Sequence, residues 1–168
     1  VSRSAVYAAE DQWSAVLDRG GVVNFFGSRI DVPVQRRFGD IAAMVRYVDG
    51  VLALGSVRSR FPDVPAVRVR ERAGQAKAHY EPDTRTIAVP VKVRWAAREA
   101  VILHELSHHL TSTGDRGAVR PSDSGADWHG PIYRTTMVDL VCLVLGEQAA
   151  LLLRAGYEAN GVPVEVAP

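Results

Sequence analysis

Apolar side chains recur along this chain at two spacings, and the switches between them outline its elements. In "SAVYAAEDQWSAVLDRGG" they return every three or four positions, which predicts a first helix opened near Ser4 and ended by Gly20-Gly21. "VVNFFGSRIDVPV" follows as a short extended piece. From about Arg36, the positions Ile41, Met44, Val45, Val48 and Leu52 predict one longer helix closed by Pro62. The period then drops to two. In "VPAVRVRER", Val67, Val69 and Glu71 fall on one face and Arg68, Arg70 and Arg72 on the other, as in a strand. "QAKAHYEPDTRTIAVP" predicts two further short strands joined at "EPDTR", where Pro82-Asp83 suits a tight reversal.

Helical spacing returns in "RWAAREAVILHELSHHLTS", an amphipathic pattern with Trp95, Val101, Ile102 and Leu106 among its apolar positions and Gly114 as its stop. "TGDRGAVRPSDSGAD" has no period, and connections of that length in a compact domain tend to be functional. "GPIYRTTMVDLVCLVLGEQAALLLRAGYEA" reads as one last helix with Pro131 in its first turn, and "NGVPVEVAP" as an irregular tail or an edge strand. The expectation is an α+β fold in a single domain: a helical part over 1–62, a core over 63–156 and a tail over 157–168.

Composition narrows the class. At 168 residues, 47% hydrophobic and 23% charged, the chain suits an ordinary globular domain rather than a disordered or fibrous one. The lone cysteine, Cys142, excludes an internal disulfide and a cysteine-based metal site, and points to a reducing compartment. "VSRSAVYAAEDQW" lacks the layout of a secretory signal, and "MVDLVCLVLGEQAALLL" is too short and too interrupted by Asp139 and Glu147 to span a bilayer. A cytoplasmic protein without membrane attachment is expected. Net charge is +1, yet residues 1–94 hold 15 basic and 10 acidic side chains against 5 and 9 in residues 95–168. Biased usage on a solvated surface explains that skew more simply than a polyanion site, and no interleaved aromatics support a nucleic-acid platform.

The chemistry lies in "HELSHHLTSTGD", residues 104–115. Residues four apart on a helix sit about 40° apart around the axis and roughly 6 Å along it, so His104 and His108 point to one side. Two such imidazoles supply half of a tetrahedral zinc site, and Glu105 lies where a general base is needed to take a proton from the attacking water. A third ligand is required. No histidine stands six positions after His108, which leaves His129 in "DWHGPIY" and Glu147 in the last helix. His129 is favoured, because Gly130 removes bulk beside it and Trp128 can anchor the segment. Tyr133 and Tyr80 are candidate oxyanion donors, and Asp127 and Asp139 candidate carboxylate partners for the ligand imidazoles. His109, next to His108, points about 100° away from it and is expected to support the site or face solvent rather than bind metal. One of His79 and Tyr80 should face the cleft. An edge strand, in "QAKAHY" or "RTIAVP", would pair with an extended peptide.

"HELSHHL" followed by "WHGPIYRTTMVDLV" resembles the SprT-like zinc metallopeptidases, over about residues 64–156. The whole chain also looks like an actinobacterial family of metallohydrolases to which no activity is assigned. The resemblance implies a zincin-like fold with a small antiparallel sheet, Zn2+ held by His104, His108 and His129, Glu105 as base, and a peptide or protein substrate. Within these 168 residues no DNA-binding module such as a zinc ribbon is seen after the core, so the DNA-linked role of some SprT-like proteins does not carry over, and nucleic acid stays a weakly supported partner. Two other functions are compatible with the motif. One is a zinc hydrolase of a non-peptide amide or other small molecule. The other is a non-catalytic, metal-stabilised binding or regulatory protein, for which Glu147 would be the fourth ligand and Glu105 would have no purpose. The 111–128 loop or the N-terminal helices are candidate covers for the site.

Overall fold

The structure, a computed structural model, describes residues 3–74, 77–113 and 128–164. In chain order its elements are α1 (Arg3–Arg19), β1 (Gly21–Phe25), β2 (Ser28–Val32), α2 (Ile41–Ala53), α3 (Gly55–Arg60), β3 (Arg68–Glu71), β4 (His79–Glu81), β5 (Thr86–Val89), α4 (Glu99–Thr113), α5 (Pro131–Leu145) and α6 (Glu147–Ala159). The fold is α+β, as the two spacings predict. The chain separates into two compact units: Val1–Gln35 with His129–Pro168, and Arg36–Trp128.

In the first unit α6 packs on both α1 and α5, and β2 packs on α6. Its centre is apolar: Val6, Ala9 and Leu17 of α1, Met137, Leu140 and Val141 of α5, and Ala149 and Leu153 of α6 are buried. Trp13 donates its indole N–H to the Ala149 carbonyl at 2.9 Å, so a large buried ring also satisfies its polar atom. β1 and β2 form an antiparallel hairpin in register Gly21↔Val32 through Phe25↔Ser28, and Phe26-Gly27 turn it with positive φ at both positions.

The single last helix expected over 130–159 is two helices. Gly146 adopts φ 96, which ends α5 and starts α6. A β-carbon there would touch nothing within 4 Å, so the glycine is required by backbone conformation and not by space. Glu147 consequently lies exposed in the first turn of α6 rather than mid-way along a helix facing inward.

The second unit is built on a three-stranded sheet of order β3-β5-β4. β4 and β5 form the expected hairpin, but β3 runs parallel to β5, so the sheet is mixed and not antiparallel. β5 lies between β3 and β4. All four residues of β5 are buried, as befits a central strand. The helix expected from Arg36 begins only at Ile41, where the Asp40 carboxylate accepts a hydrogen bond from Ala43 N at 2.7 Å. It also breaks at Leu54 into α2 and α3. Arg36–Phe38 are extended instead and run antiparallel to residues 97–99, with Arg37 opposite Arg98. No helix among the described residues is long and apolar enough to cross a membrane.

Candidate metal centre

The helix α4 carries the motif, starting at Glu99 and not at Arg94; Trp95 precedes it in a run of turns. Its start is fixed by a small lock. The Glu99 carboxylate accepts from Arg36 N at 2.8 Å and from the Arg36 guanidinium at 2.6 Å, while Glu99 N donates to the Arg36 carbonyl at 2.9 Å. Glu99 is fully buried. The helix packs against α2, β4 and β5. It is not amphipathic as expected, for Ala100 and every residue from Ile102 to Leu110 are buried. Polar side chains that read as a solvent face in the sequence therefore lie inside.

His104 and His108, each 7% exposed, face each other on successive turns with Nε2 atoms 3.2 Å apart and rings 4.9 Å between centroids. Two lone pairs at that distance repel unless a proton or a cation lies between them. Two ligands at about 2.0–2.1 Å from a tetrahedral zinc stand about 3.3 Å from each other, so the pair fits that ion as it is. Both are neutral-nitrogen donors of the kind zinc, copper or nickel takes. Glu105, buried beside His104, is on the same turn. Trp128, half-buried, sets its ring edge-on to His108, centroids 5.6 Å apart.

Beneath α4 the hairpin supplies a second layer. Tyr80 is the hairpin residue that faces the helix: it is buried, and its hydroxyl lies 2.9 Å from His109 Nδ1. His109 Nε2 lies 2.8 Å from the Pro65 carbonyl, which can only accept. The proton is therefore on Nε2, Nδ1 accepts from Tyr80, and the ring is neutral. Burial holds the His109 pKa below its ordinary value and that of Tyr80 above its own. His109 thus supports the helix as expected. Tyr80 spends its proton on His109, which leaves none for an oxyanion. His79 points elsewhere, between the Arg72 guanidinium at 2.8 Å and the Glu81 carboxylate at 3.1 Å. Arg70 also pairs with Glu81 and holds its carboxyl below the usual range, so part of the arginine ladder is neutralised within the sheet. Between the two strands considered for a substrate edge, β5 is central and β4 lies at the edge.

His129 belongs to the other compact unit. It precedes Gly130, the N-cap of α5, and Pro131 fixes the entry into the helix. His129 is 4% exposed and stands against two tyrosine rings, Tyr7 at 5.1 Å and Tyr133 at 5.0 Å between centroids. The Arg134 guanidinium, itself buried, donates to the His129 carbonyl at 2.7 Å. Tyr133 does not present a free proton for an oxyanion: its hydroxyl donates to the Glu10 carboxylate at 3.0 Å. Tyr157 donates to the same oxygen at 2.6 Å. Asp139 is on α5, two turns further on. Asp127, and residues 114–127 of the loop considered as a cover, lie outside the described residues.

Glu99, Arg134 and Glu10 were not singled out by sequence reasoning. The available signal was their position on apolar helical faces: Glu10 follows Val6 by four residues, and Glu99 precedes Ile102 by three. Compared with known proteins, the chain matches no family model, no curated protein and no solved structure.

Proposed function

We propose that this protein is a zinc-dependent metallopeptidase of zincin-like, SprT-like type, with His104, His108 and His129 as ligands and Glu105 as general base. The observation that carries the reading is the 3.2 Å approach of two buried imidazole nitrogens on the helix that also bears Glu105. His129, also buried, is the third ligand this reading requires, since three protein ligands is the number found in catalytic zinc sites. Chain connectivity supports the same set. Trp128, packed on His108, is the residue immediately before His129.

Zinc, when bound, polarises a carbonyl and makes a water easier to deprotonate. Glu105 takes the proton of the attacking water and hands it to the departing amine. Its burial keeps bulk water from competing for that proton. The histidines hold their donor nitrogens in place through packing, His108 against Trp128 and His129 against Tyr7 and Tyr133. A peptide is favoured over a small molecule because β4, packed on α4, offers an edge along which an extended backbone pairs.

Elemental analysis of the purified protein tests the reading, with the His104→Ala, His129→Ala and Glu147→Ala variants alongside. One zinc per chain, lost with either histidine and kept without Glu147, is expected. Glu105→Gln should keep the metal and lose about two to four orders of magnitude in cleavage of a fluorogenic peptide library. Metal retained in His129→Ala would replace the third ligand. A wild-type protein that takes up no zinc on reconstitution would end the enzyme reading.

A further inference from the structure

The first unit contains a buried polar cluster that neither the zinc ligands nor the general base explains. Glu10, 8% exposed in the middle of α1, accepts hydrogen bonds on one oxygen from Tyr133 of α5 and Tyr157 of α6. Burying a carboxylate is costly, and a cluster kept only for stability is replaced at little or no loss by apolar side chains. Two features give it a direction. Tyr133 lays its ring against His129, at 71° between planes, and Tyr7, one turn before Glu10 on α1, lays its ring against His129 as well. Arg134, next to Tyr133, fixes the His129 carbonyl. Glu10 therefore pins the phenol that braces the imidazole, while a neighbour on the same face of α1 braces it from a second side.

We propose that Glu10 is a positioning residue for His129, acting through Tyr133, so that α1 is part of the metal site although it supplies no ligand. This rests on the reading of His129 as a zinc ligand. A ligand imidazole held in one rotamer before the ion arrives loses no side-chain freedom on binding, and residues that orient ligands typically contribute about 10- to 100-fold in metal affinity.

The cluster contains its own control. Tyr133 and Tyr157 donate to the same oxygen and both are fully buried, but only Tyr133 touches His129. Zinc affinity by chelator competition, the visible spectrum of the cobalt-substituted protein and the melting temperature without metal are to be measured for Tyr133→Phe, Tyr157→Phe and His129→Ala. Both phenylalanine variants should melt lower than wild type by similar amounts. Tyr133→Phe should bind zinc about tenfold more weakly with an altered cobalt spectrum, and Tyr157→Phe should bind within about twofold of wild type with its spectrum unchanged. Equal affinity losses in the two variants, or none in Tyr133→Phe while His129→Ala abolishes binding, overturn the proposal and leave the ligand assignment standing. Wild-type affinity in His129→Ala removes the ligand assignment and the proposal with it. Glu10→Leu, which removes the acceptor of both hydroxyls and fills the place with apolar atoms, serves where Tyr133→Phe does not fold. It should weaken zinc binding more than Tyr157→Phe does, and an affinity equal to wild type overturns the proposal.

Discussion

Replacing Arg36 with alanine tests whether the start of the motif helix is held by the Arg36–Glu99 lock. The substitution leaves Glu99, which is fully buried, with the Arg36 backbone N–H at 2.8 Å and without the guanidinium at 2.6 Å. Stranding a buried carboxylate costs about 3–5 kcal/mol in the limit, and a hydrogen bond to a charged group about 1.5–3 kcal/mol. The Arg36 side chain is 62% exposed, so water screens its charge and also reaches the site once it is gone. That places the loss near the lower figure, at about 1.5–2 kcal/mol, including the contact of the guanidinium with the Tyr47 ring at 5.7 Å. For a chain of this size the melting temperature should fall by roughly 3–8 °C. Urea unfolding followed by fluorescence of the three tryptophans measures it. Arg36→Lys, which keeps the charge without the planar fork, should recover part of the loss. In a cycle with Glu99→Ala, the double variant should cost less than the sum of the singles. A loss under about 0.5 kcal/mol in Arg36→Ala, the size of an ordinary surface substitution, or strict additivity in the cycle would refute the lock.

Three further outcomes are expected. Zinc at one hundred times its dissociation constant should stabilise the protein by about 2.7 kcal/mol, or roughly 5–10 °C by scanning fluorimetry. His108→Ala should abolish that shift. Tyr80→Phe leaves the buried Nδ1 of His109 without its donor and should cost about 1–2 kcal/mol in urea unfolding; no change would mean that the ring finds another partner. Gly146→Ala should cost about 1–2 kcal/mol from backbone strain alone, since the added methyl meets nothing; an unchanged midpoint would show that the α5–α6 break does not need positive φ.

Where helix or strand geometry imposes a period, the sequence is readable. His104 and His108 are four apart because a helix turns every 3.6 residues, and the hairpin announces itself by alternation on both sides of Pro82-Asp83. Other features carry no local signal. The parallel pairing of β3 with β5 is set by the path of the intervening chain, and Arg68↔Thr86 cannot be read from either strand. Gly146 sits in an apolar run that continues on both sides, so a helix with one tolerated glycine and two helices look alike until φ is known. Glu10 and Glu99 share apolar helical faces, but a single sequence does not display their partners, 63 residues away for Glu99 and more than 120 for Glu10.

The burial of α4 sharpens the case for chemistry on that helix. Six of its polar residues are inside: Glu99, His104, Glu105, Ser107, His108 and His109. Three have partners that explain them as structure. Glu99 ties down Arg36, Ser107 bonds back to the Leu103 carbonyl at 2.8 Å, and His109 bridges Tyr80 and Pro65. The other three, His104, Glu105 and His108, are the residues of the motif. The contact between the two histidines secures no strand, turn or cap. It sets two buried ring nitrogens against each other where a proton or a cation must lie between them, a condition that leucines at both positions would not impose. A helix that needed only to fill a core would gain from that exchange, and proteins keep such local costs where a site requires them. One double variant measures the effect directly. His104→Leu/His108→Leu should unfold at higher urea than the metal-free wild type, while taking up no zinc.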